Sequence, residues 1–364
     1  MSKTAWKYSI SVLITIIFIE TISWAFLNLY IHLSKKVSND VKLIEYWEFD
    51  PYLIWIPKKN TEGYDKYSRF KMNNYGFRND YDIDQKKPNN VFRVIVLGGS
   101  VAWGTGASSN RTVWTKVLED LMEGALGRKV EVLNAGCAGY VSFQELVYLE
   151  FRLLQFSPDL VIVFDGYNDL YRSSLYSDNE YQDNVIPNYV IEKSFFDSPL
   201  IIQIIGLIKE KSYFFKLTKR IYEKIIYESG RPIYNVKYLN KRGIANYLNN
   251  IKSISDILKG RGIKSIFLLQ PYLAESGKPL SSEERKVLSN AGQEVAVIKK
   301  AMDILRGEYK SFSSKNDLVF YDLNDVFDSF SVNQTFWYDH VHLNDEGHRV
   351  IGEKVKEIAI KYFP

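Results

Sequence analysis

Apolar positions in this chain follow two patterns. From Tyr8 to Leu33 they run almost unbroken, dominated by Ile, Leu, Val, Phe and Trp, with Lys3 and Lys7 ahead and Lys35 and Lys36 behind. From Val91 onward, short solid apolar runs alternate with stretches whose apolar residues recur every three or four positions. The first pattern suits a membrane span, since a bilayer core takes about 20 residues. The second predicts strands alternating with amphipathic helices.

The alternation can be followed element by element. A strand over 93–97 stops at Gly98-Gly99-Ser100, and a helix follows over 112–124 with Val113, Val117, Leu118 and Leu121 on one face. A strand over 130–133 ends at Asn134-Ala135-Gly136, and a helix over 142–156 packs Leu146, Leu149, Leu153 and Leu154. The apolar strand 160–164 ends at Asp165-Gly166-Tyr167-Asn168-Asp169. Further strands are expected at 264–269 and 318–323, with a last helix over 346–362. Apolar strands alternating with helices predict a parallel sheet covered on both faces. Ligands of such sheets bind outside the carboxyl ends of the strands. The three polar glycine turns all fall on that edge.

The organisation expected from this is an N-terminal transmembrane anchor at 1–34, a lead-in at 35–90 packed on the domain, and an α/β domain at 91–364. Glu20 in the middle of the anchor would cost about 2.5–3.5 kcal/mol there, offset by its large apolar neighbours. A cleaved signal peptide is the competing reading, because Ser23-Trp24-Ala25 has the small-x-small look; a buried soluble helix is another. The apolar run continues through Phe26, Leu27, Leu29, Tyr30 and Ile31, which suits an uncleaved anchor better. The flanking lysines balance, so orientation rests on the usual arrangement of one leading span, with the domain outside the cytoplasm. The lead-in has Pro51, Pro57 and Pro88 as breakers, and Asn73-Asn74-Tyr75-Gly76-Phe77-Arg78 is expected to be a structural turn holding a buried aromatic. An insertion at 172–245 contains SPLIIQIIGLIKEKSYFFKLTKRIYEKIIYES, with Lys209, Lys211, Lys216, Lys219, Arg220 and Lys224. It suits either a lid lying on a membrane surface or helices packed on the domain. Three glutamates dilute the basic face and favour packing.

Composition removes several classes. Net charge is only +4 over 364 residues, without the concentrated basic face of a nucleic-acid binder. The single cysteine, Cys137, allows neither an intrachain disulfide nor a cysteine zinc cluster. The 26 tyrosines could stack on sugars or simply fill a core.

The turn at Gly98-Gly99-Ser100 could cradle phosphate or present a nucleophile. Gly99 and Gly104 have P-loop spacing, but Thr105 stands where the lysine is needed, and the dinucleotide fingerprint is missing. A serine on a strand-to-helix turn suits nucleophile presentation but needs a base. His32 lies in the anchor; the other three histidines sit in FWYDHVHLNDEGH, residues 336–348. Asp339 and His342 are three apart, so a helical turn would put them on one face, the carboxylate orienting the imidazole. His340, His342 and His348 could instead form a metal site, but further ligands are not evident. His340 is taken as structural, and His348 as capping or packing the last helix. Oxyanion donors are available from the N–H of Ser100, the N–H of Gly136, where a bare glycine would let substrate approach, and the amide of Asn168.

Ser100 in Gly-Gly-Ser, Gly136 in Asn-Ala-Gly, Asn168 in Gly-Tyr-Asn-Asp, and Asp339-x-x-His342 together resemble the four blocks of the SGNH (GDSL-like) hydrolase superfamily. The resemblance covers residues 91–364. It implies a three-layer α/β/α sandwich of flavodoxin-like kind, with Ser100 as nucleophile, His342 as base, Asp339 as its orienter, and Ser100, Gly136 and Asn168 as the oxyanion hole. No cofactor or metal is implied. Gly99 departs from the family, which usually has aspartate there. The Asn73-x-x-Gly76-Phe77-Arg78 block looks like that of membrane-anchored members associated with cell-surface polysaccharides. The expected protein is a membrane-anchored serine esterase of the cell envelope that removes or transfers O-acyl groups, acetyl above all, on a glycan. Its expected partners are the acylated glycan, the membrane and polysaccharide-assembly proteins. A lipid esterase and an inactive glycan-binding scaffold are the alternatives.

Overall fold

A computed structural model describes residues 3–34, 46–64, 68–184, 212–214, 217, 236–292 and 294–363. The chain divides into two compact units, Met1–Val41 with Val185–Asn235, and Lys42–Asn184 with Val236–Pro364.

In the first unit, α1 (Lys3–Ser34) is one continuous helix. Ile14, Ile16, Ile17, Phe18, Trp24 and Phe26 are exposed on it. The Glu20 carboxylate accepts hydrogen bonds from the Ser212 hydroxyl and, at 2.7 Å, from the Tyr213 N–H. Counted on the described residues alone, no helix is long and apolar enough to cross a membrane. The lid and packed-helix readings of the insertion fall mostly on 185–211 and 218–235, outside the described residues.

The second unit is built on five parallel strands, β5 (Phe92–Gly98), β6 (Val130–Asn134), β7 (Leu160–Asp165), β8 (Lys264–Leu269) and β9 (Phe320–Asp322), in the order β6-β5-β7-β8-β9. Strands β5 and β7 are buried along their whole length, as a sheet covered on both faces requires. Helices α3 (Trp114–Leu126) and α9 (Asp345–Ala359) pack together on one face. On the other lie α4 (Ser142–Tyr148), α5 (Tyr167–Ser173), α6 (Lys241–Gly260) and α8 (Glu294–Lys315), with α7 (Ser282–Asn290) preceding α8. The result is the three-layer α/β/α arrangement, with flavodoxin-like strand order. In that order the connections leave β5 and β7 in opposite directions, so a crevice opens between their carboxyl ends. Ser100 follows β5 and Asn168 follows β7.

Local differences from the sequence expectations have physical causes. The expected helix 142–156 begins as α4 but continues as a π-turn over Leu149–Leu153 and a 3₁₀ turn over Leu154–Phe156. Apolar spacing cannot distinguish these windings over so few residues. The lead-in carries two small hairpins, β1 (Trp47–Asp50) with β2 (Ile54–Pro57) and β3 (Thr61–Tyr64) with β4 (Arg69–Met72). Four-residue strands are too short to show a period. The first hairpin is tied to the loop after β6 and to α4 by Trp55 Nε1 donating to the Ala138 carbonyl (3.1 Å), Tyr140 Oη donating to the Trp55 carbonyl (2.6 Å) and Gln144 Nε2 donating to the Leu53 carbonyl (2.7 Å).

Candidate active site

The nucleophile turn owes its shape to two glycines. Gly98 has φ +146°, and a Cβ there would stand 2.1 Å from the Phe164 carbonyl oxygen on β7. Gly99 has an ordinary φ, but a Cβ there would stand 2.3 Å from Asn168 Nδ2. The chain then enters the short helix α2 (Ser100–Trp103) with Ser100 as its first residue, half-buried. Arg78, buried in the lead-in, holds the far end of α2: Nη1 donates to the Gly104 carbonyl (2.8 Å), Nε to Asn110 Oδ1 (3.0 Å), and the guanidinium lies 4.3 Å from the Trp103 ring centroid. A cation against the carbonyl end of a helix is favourable. The expected turn is present, with Asn73 Oδ1 accepting from the N–H groups of Tyr75 and Phe77 and Phe77 buried. What the sequence reading missed was the reach of Arg78 from that turn to the serine helix. The only signal was a cation directly after a buried phenylalanine.

His342 Nε2 lies 2.8 Å from Ser100 Oγ, and His342 Nδ1 lies 2.7 Å from Asp339 Oδ2. A carboxylate can only accept, so Nδ1 carries its proton and Nε2 is free to accept from the serine. The expected helical turn between Asp339 and His342 is not what brings them together. Residues 338–342 form an irregular turn in which Asp339 Oδ1 accepts from the N–H groups of Val341 and His342, both at 2.7 Å. The Tyr338 N–H closes the turn on the His342 carbonyl (2.8 Å). Aspartate makes such local bonds readily, which is why three-residue spacing here produces a turn rather than a helix. Burial raises the Asp339 carboxyl pKa, but the bond and charge of His342 and the two backbone donors outweigh it and bring the value down to about 2.

The three expected oxyanion donors lie on the same sheet edge. The N–H of Ser100 opens α2, where no carbonyl of the helix lies one turn back to accept it. Asn168 Nδ2 donates one hydrogen to the Tyr140 carbonyl (2.7 Å), leaving its second hydrogen. The Gly136 N–H donates to Asn134 Oδ1 (3.1 Å). The bare glycine there answers to packing: a Cβ would stand 2.4 Å from the Trp103 backbone nitrogen. On that side the missing side chain makes room for α2 rather than for substrate.

The histidines have three separate environments. His340 Nε2 lies 3.3 Å from Tyr167 Oη and 3.4 Å from Glu294 Oε1. His348 is buried on α9, and its Nε2 donates to the Thr105 carbonyl (3.3 Å), bracing the serine turn from the other side. Burial, with the charge of Arg78, lowers the His348 pKa to about 3, so its ring is neutral. Among the described residues no group of three metal-ligating side chains is placed to hold an ion.

Behind Asn168 lies a second acidic region. Asp169 accepts from the Ser142 hydroxyl (2.6 Å) and N–H (3.0 Å), and Asp165 accepts from Tyr247 Oη (2.7 Å). Glu145 abuts Asp165 with no other donor to either of its oxygens. Burial raises Asp165 to about 6 and Asp169 to about 7, and pushes Glu145 well up.

Residues 96–350 match the GDSL-like Lipase/Acylhydrolase family, well over half of the chain. No curated protein matches the chain. Among solved structures, the acetyl xylan esterase AlAXEase is 15% identical, over 75% of this chain and 100% of its own, with a TM-score of 0.41. Axe2, an acetylxylan esterase from Geobacillus stearothermophilus, is 14% identical, over 73% of this chain and 93% of its own, with a TM-score of 0.40. With the family's blocks meeting at one sheet edge, the chain belongs to the GDSL-like lipase/acylhydrolase family and is an SGNH-type hydrolase of ester bonds.

Proposed function

We propose that this protein is a membrane-anchored serine esterase that removes, or passes to another hydroxyl, O-acetyl or similar O-acyl groups on a carbohydrate of the cell envelope. The observation that carries the reading is the unbroken line from Ser100 Oγ through His342 to Asp339, with contacts of 2.8 and 2.7 Å. Ser100 Oγ attacks the ester carbonyl while its proton passes to His342 Nε2. The N–H of Ser100 and the free amide hydrogen of Asn168 receive the developing oxyanion, joined by the Gly136 N–H if it is shared with Asn134. Collapse breaks the ester bond, His342 returns its proton to the leaving alcohol, and an acyl-Ser100 remains. Water, or a sugar hydroxyl, then attacks this acyl group while giving its proton to His342. Collapse breaks the bond from the acyl carbon to Ser100 Oγ, which takes the proton back from His342, and the product leaves as a free acid or a new ester.

Anchoring is supported by the run from Tyr8 to Leu33 between lysine pairs and by the exposed apolar side chains of α1. A domain outside the cytoplasm follows from the usual arrangement of one leading span. The serine chemistry is tested on the full chain in detergent, by mass spectrometry after treatment with a fluorophosphonate. Labelling at Ser100 that disappears in Ser100→Ala and His342→Ala is the expected result. A folded protein that takes no label would overturn the reading. Resistance of the full chain to alkaline carbonate extraction tests the anchor.

A further inference from the structure

Two residues adjoining the proposed machinery meet each other. Tyr167 precedes Asn168, His340 follows Asp339, and Tyr167 Oη lies 3.3 Å from His340 Nε2. Glu294, at the start of α8, joins them 3.4 Å from the same nitrogen. The Tyr272 ring closes the group, 5.5 Å from the Tyr167 centroid and 6.2 Å from that of His340, and Tyr171 stacks on Tyr167. The cluster therefore joins the turn that bears Asn168 to the turn that bears Asp339 and His342.

We infer that this cluster is the subsite for the alcohol part of the ester, and that the alcohol it takes is a sugar ring. The inference rests on the esterase reading of Ser100. Were the group only a structural clasp, it would be expected to be shut away from water with its hydrogen bonds completed. Instead the side chains of His340 and Glu294 keep 21% and 27% of their exposure, and their contacts are long. The buried Tyr272 hydroxyl has no hydrogen-bond partner among the described residues. The cluster thus has more hydrogen-bonding capacity than the chain itself uses.

The chemistry of these side chains selects between alcohols and acyl chains. A sugar offers hydroxyl donors to the Glu294 carboxylate and hydroxyl acceptors to the His340 imidazole, with the buried Tyr167 and Tyr272 rings as the wall behind them. A long acyl chain offers none of the polar contacts, and would strip water from Glu294 and His340 with nothing in return, which is costly for a charged group. Position adds to this, since Tyr167 is one residue from Asn168, whose amide faces the oxyanion, and His340 is one residue from Asp339, which orients the base.

The test uses the full chain in detergent, with Glu294→Gln and Tyr167→Phe, which keep side-chain shape. Values of kcat and KM are measured with a partly acetylated xylo-oligosaccharide and with 4-nitrophenyl acetate. The ratio of kcat/KM for the oligosaccharide to that for the aryl ester is expected to fall tenfold or more in each variant, chiefly through KM. An unchanged ratio in both variants overturns the subsite, as does an equal rise in KM for 4-nitrophenyl laurate, which would make the cluster an acyl-chain wall. Calorimetric binding of the oligosaccharide to Ser100→Ala, with and without Glu294→Gln, provides a readout that needs no turnover. At least tenfold weaker binding on adding Glu294→Gln is expected, and equal binding overturns the subsite. Absent fluorophosphonate labelling would instead indicate failure of the esterase reading.

Discussion

Two acidic regions stand at the carboxyl edge of the sheet, and they are in opposite states. Asp339 is held at about 2 by the imidazole and two backbone N–H groups, so it is charged at every pH at which the protein would work. Glu145, Asp165 and Asp169, on α4, β7 and α5, are displaced upward by burial, and among the described residues no cation is one of the main influences on them. The same functional group is thus a fixed anion in one region and keeps its proton to higher pH in the other. Environments that drive like groups apart in this way assign their roles. Asp339 is suited to steady an imidazolium, while the buried trio is suited to support the turn that carries Asn168.

The hardest test of the contrast is to remove the fixed charge and keep its shape. Asp339→Asn is expected to lower kcat toward 4-nitrophenyl acetate by about ten-thousandfold at neutral pH, because an amide donor would turn the imidazole to the wrong tautomer. Circular dichroism should show the fold intact. A loss of less than tenfold would mean that Asp339 does not orient the base.

Much of this edge was legible from the chain. The runs at 93–97, 130–133 and 160–164 are solid because both faces of the sheet are covered, and the polar turns that end them marked Ser100, Gly136 and Asn168. The Asp339–His342 pairing was legible as spacing but not as geometry, since a helical turn and an aspartate-bonded turn have the same spacing. Arg78 and the buried trio were not legible. Their roles depend on contacts between α2, α4, α5, β7 and the lead-in, which lie far apart in sequence, and a buried carboxylate looks like a surface one until its neighbours are known. The surroundings of His340 were not legible for the same reason. Its partners Tyr167 and Glu294 come from distant segments.

A smaller effect probes the boundary between the two regions. Gly99 lets Asn168 Nδ2 come close enough to bond the Tyr140 carbonyl, and its φ of −81° would itself accept a side chain. Gly99→Asp would place a carboxylate where this family usually has one, but here it would displace the Asn168 amide. The expected fall in kcat is about 10²–10³, the cost of one lost oxyanion donor. Gly99→Ala should behave similarly, because the collision begins at Cβ. Rates within twofold of wild type for both variants would remove Asn168 from the oxyanion hole.

The smallest expected effect lies in the buried trio and appears as stability against pH. Groups facing Glu145 are Asp165, Asp169, Cys137 and Tyr309, with Tyr247 bonded to Asp165. Treated as carboxylates, both Glu145 oxygens and Asp165 Oδ2 lack a donor, so a shared proton is what makes their contact attractive. In the folded chain the pKa of Glu145 is raised above its unfolded value of about 4.3. The folded state therefore holds the proton longer than the unfolded state does. The stabilisation is full below pH 4 and declines as pH rises toward the folded value, by up to about 1.4 kcal/mol per unit for one group. In Glu145→Gln the amide donates to Asp165 at any pH, so that decline should shrink. Thermal unfolding at pH 5 and pH 8 measures it: the variant should approach or pass the wild type at pH 8 and show less advantage, or a deficit, at pH 5. Equal displacement at both pH values would mean that no proton is shared, and that the two acidic regions differ in burial but not in charge.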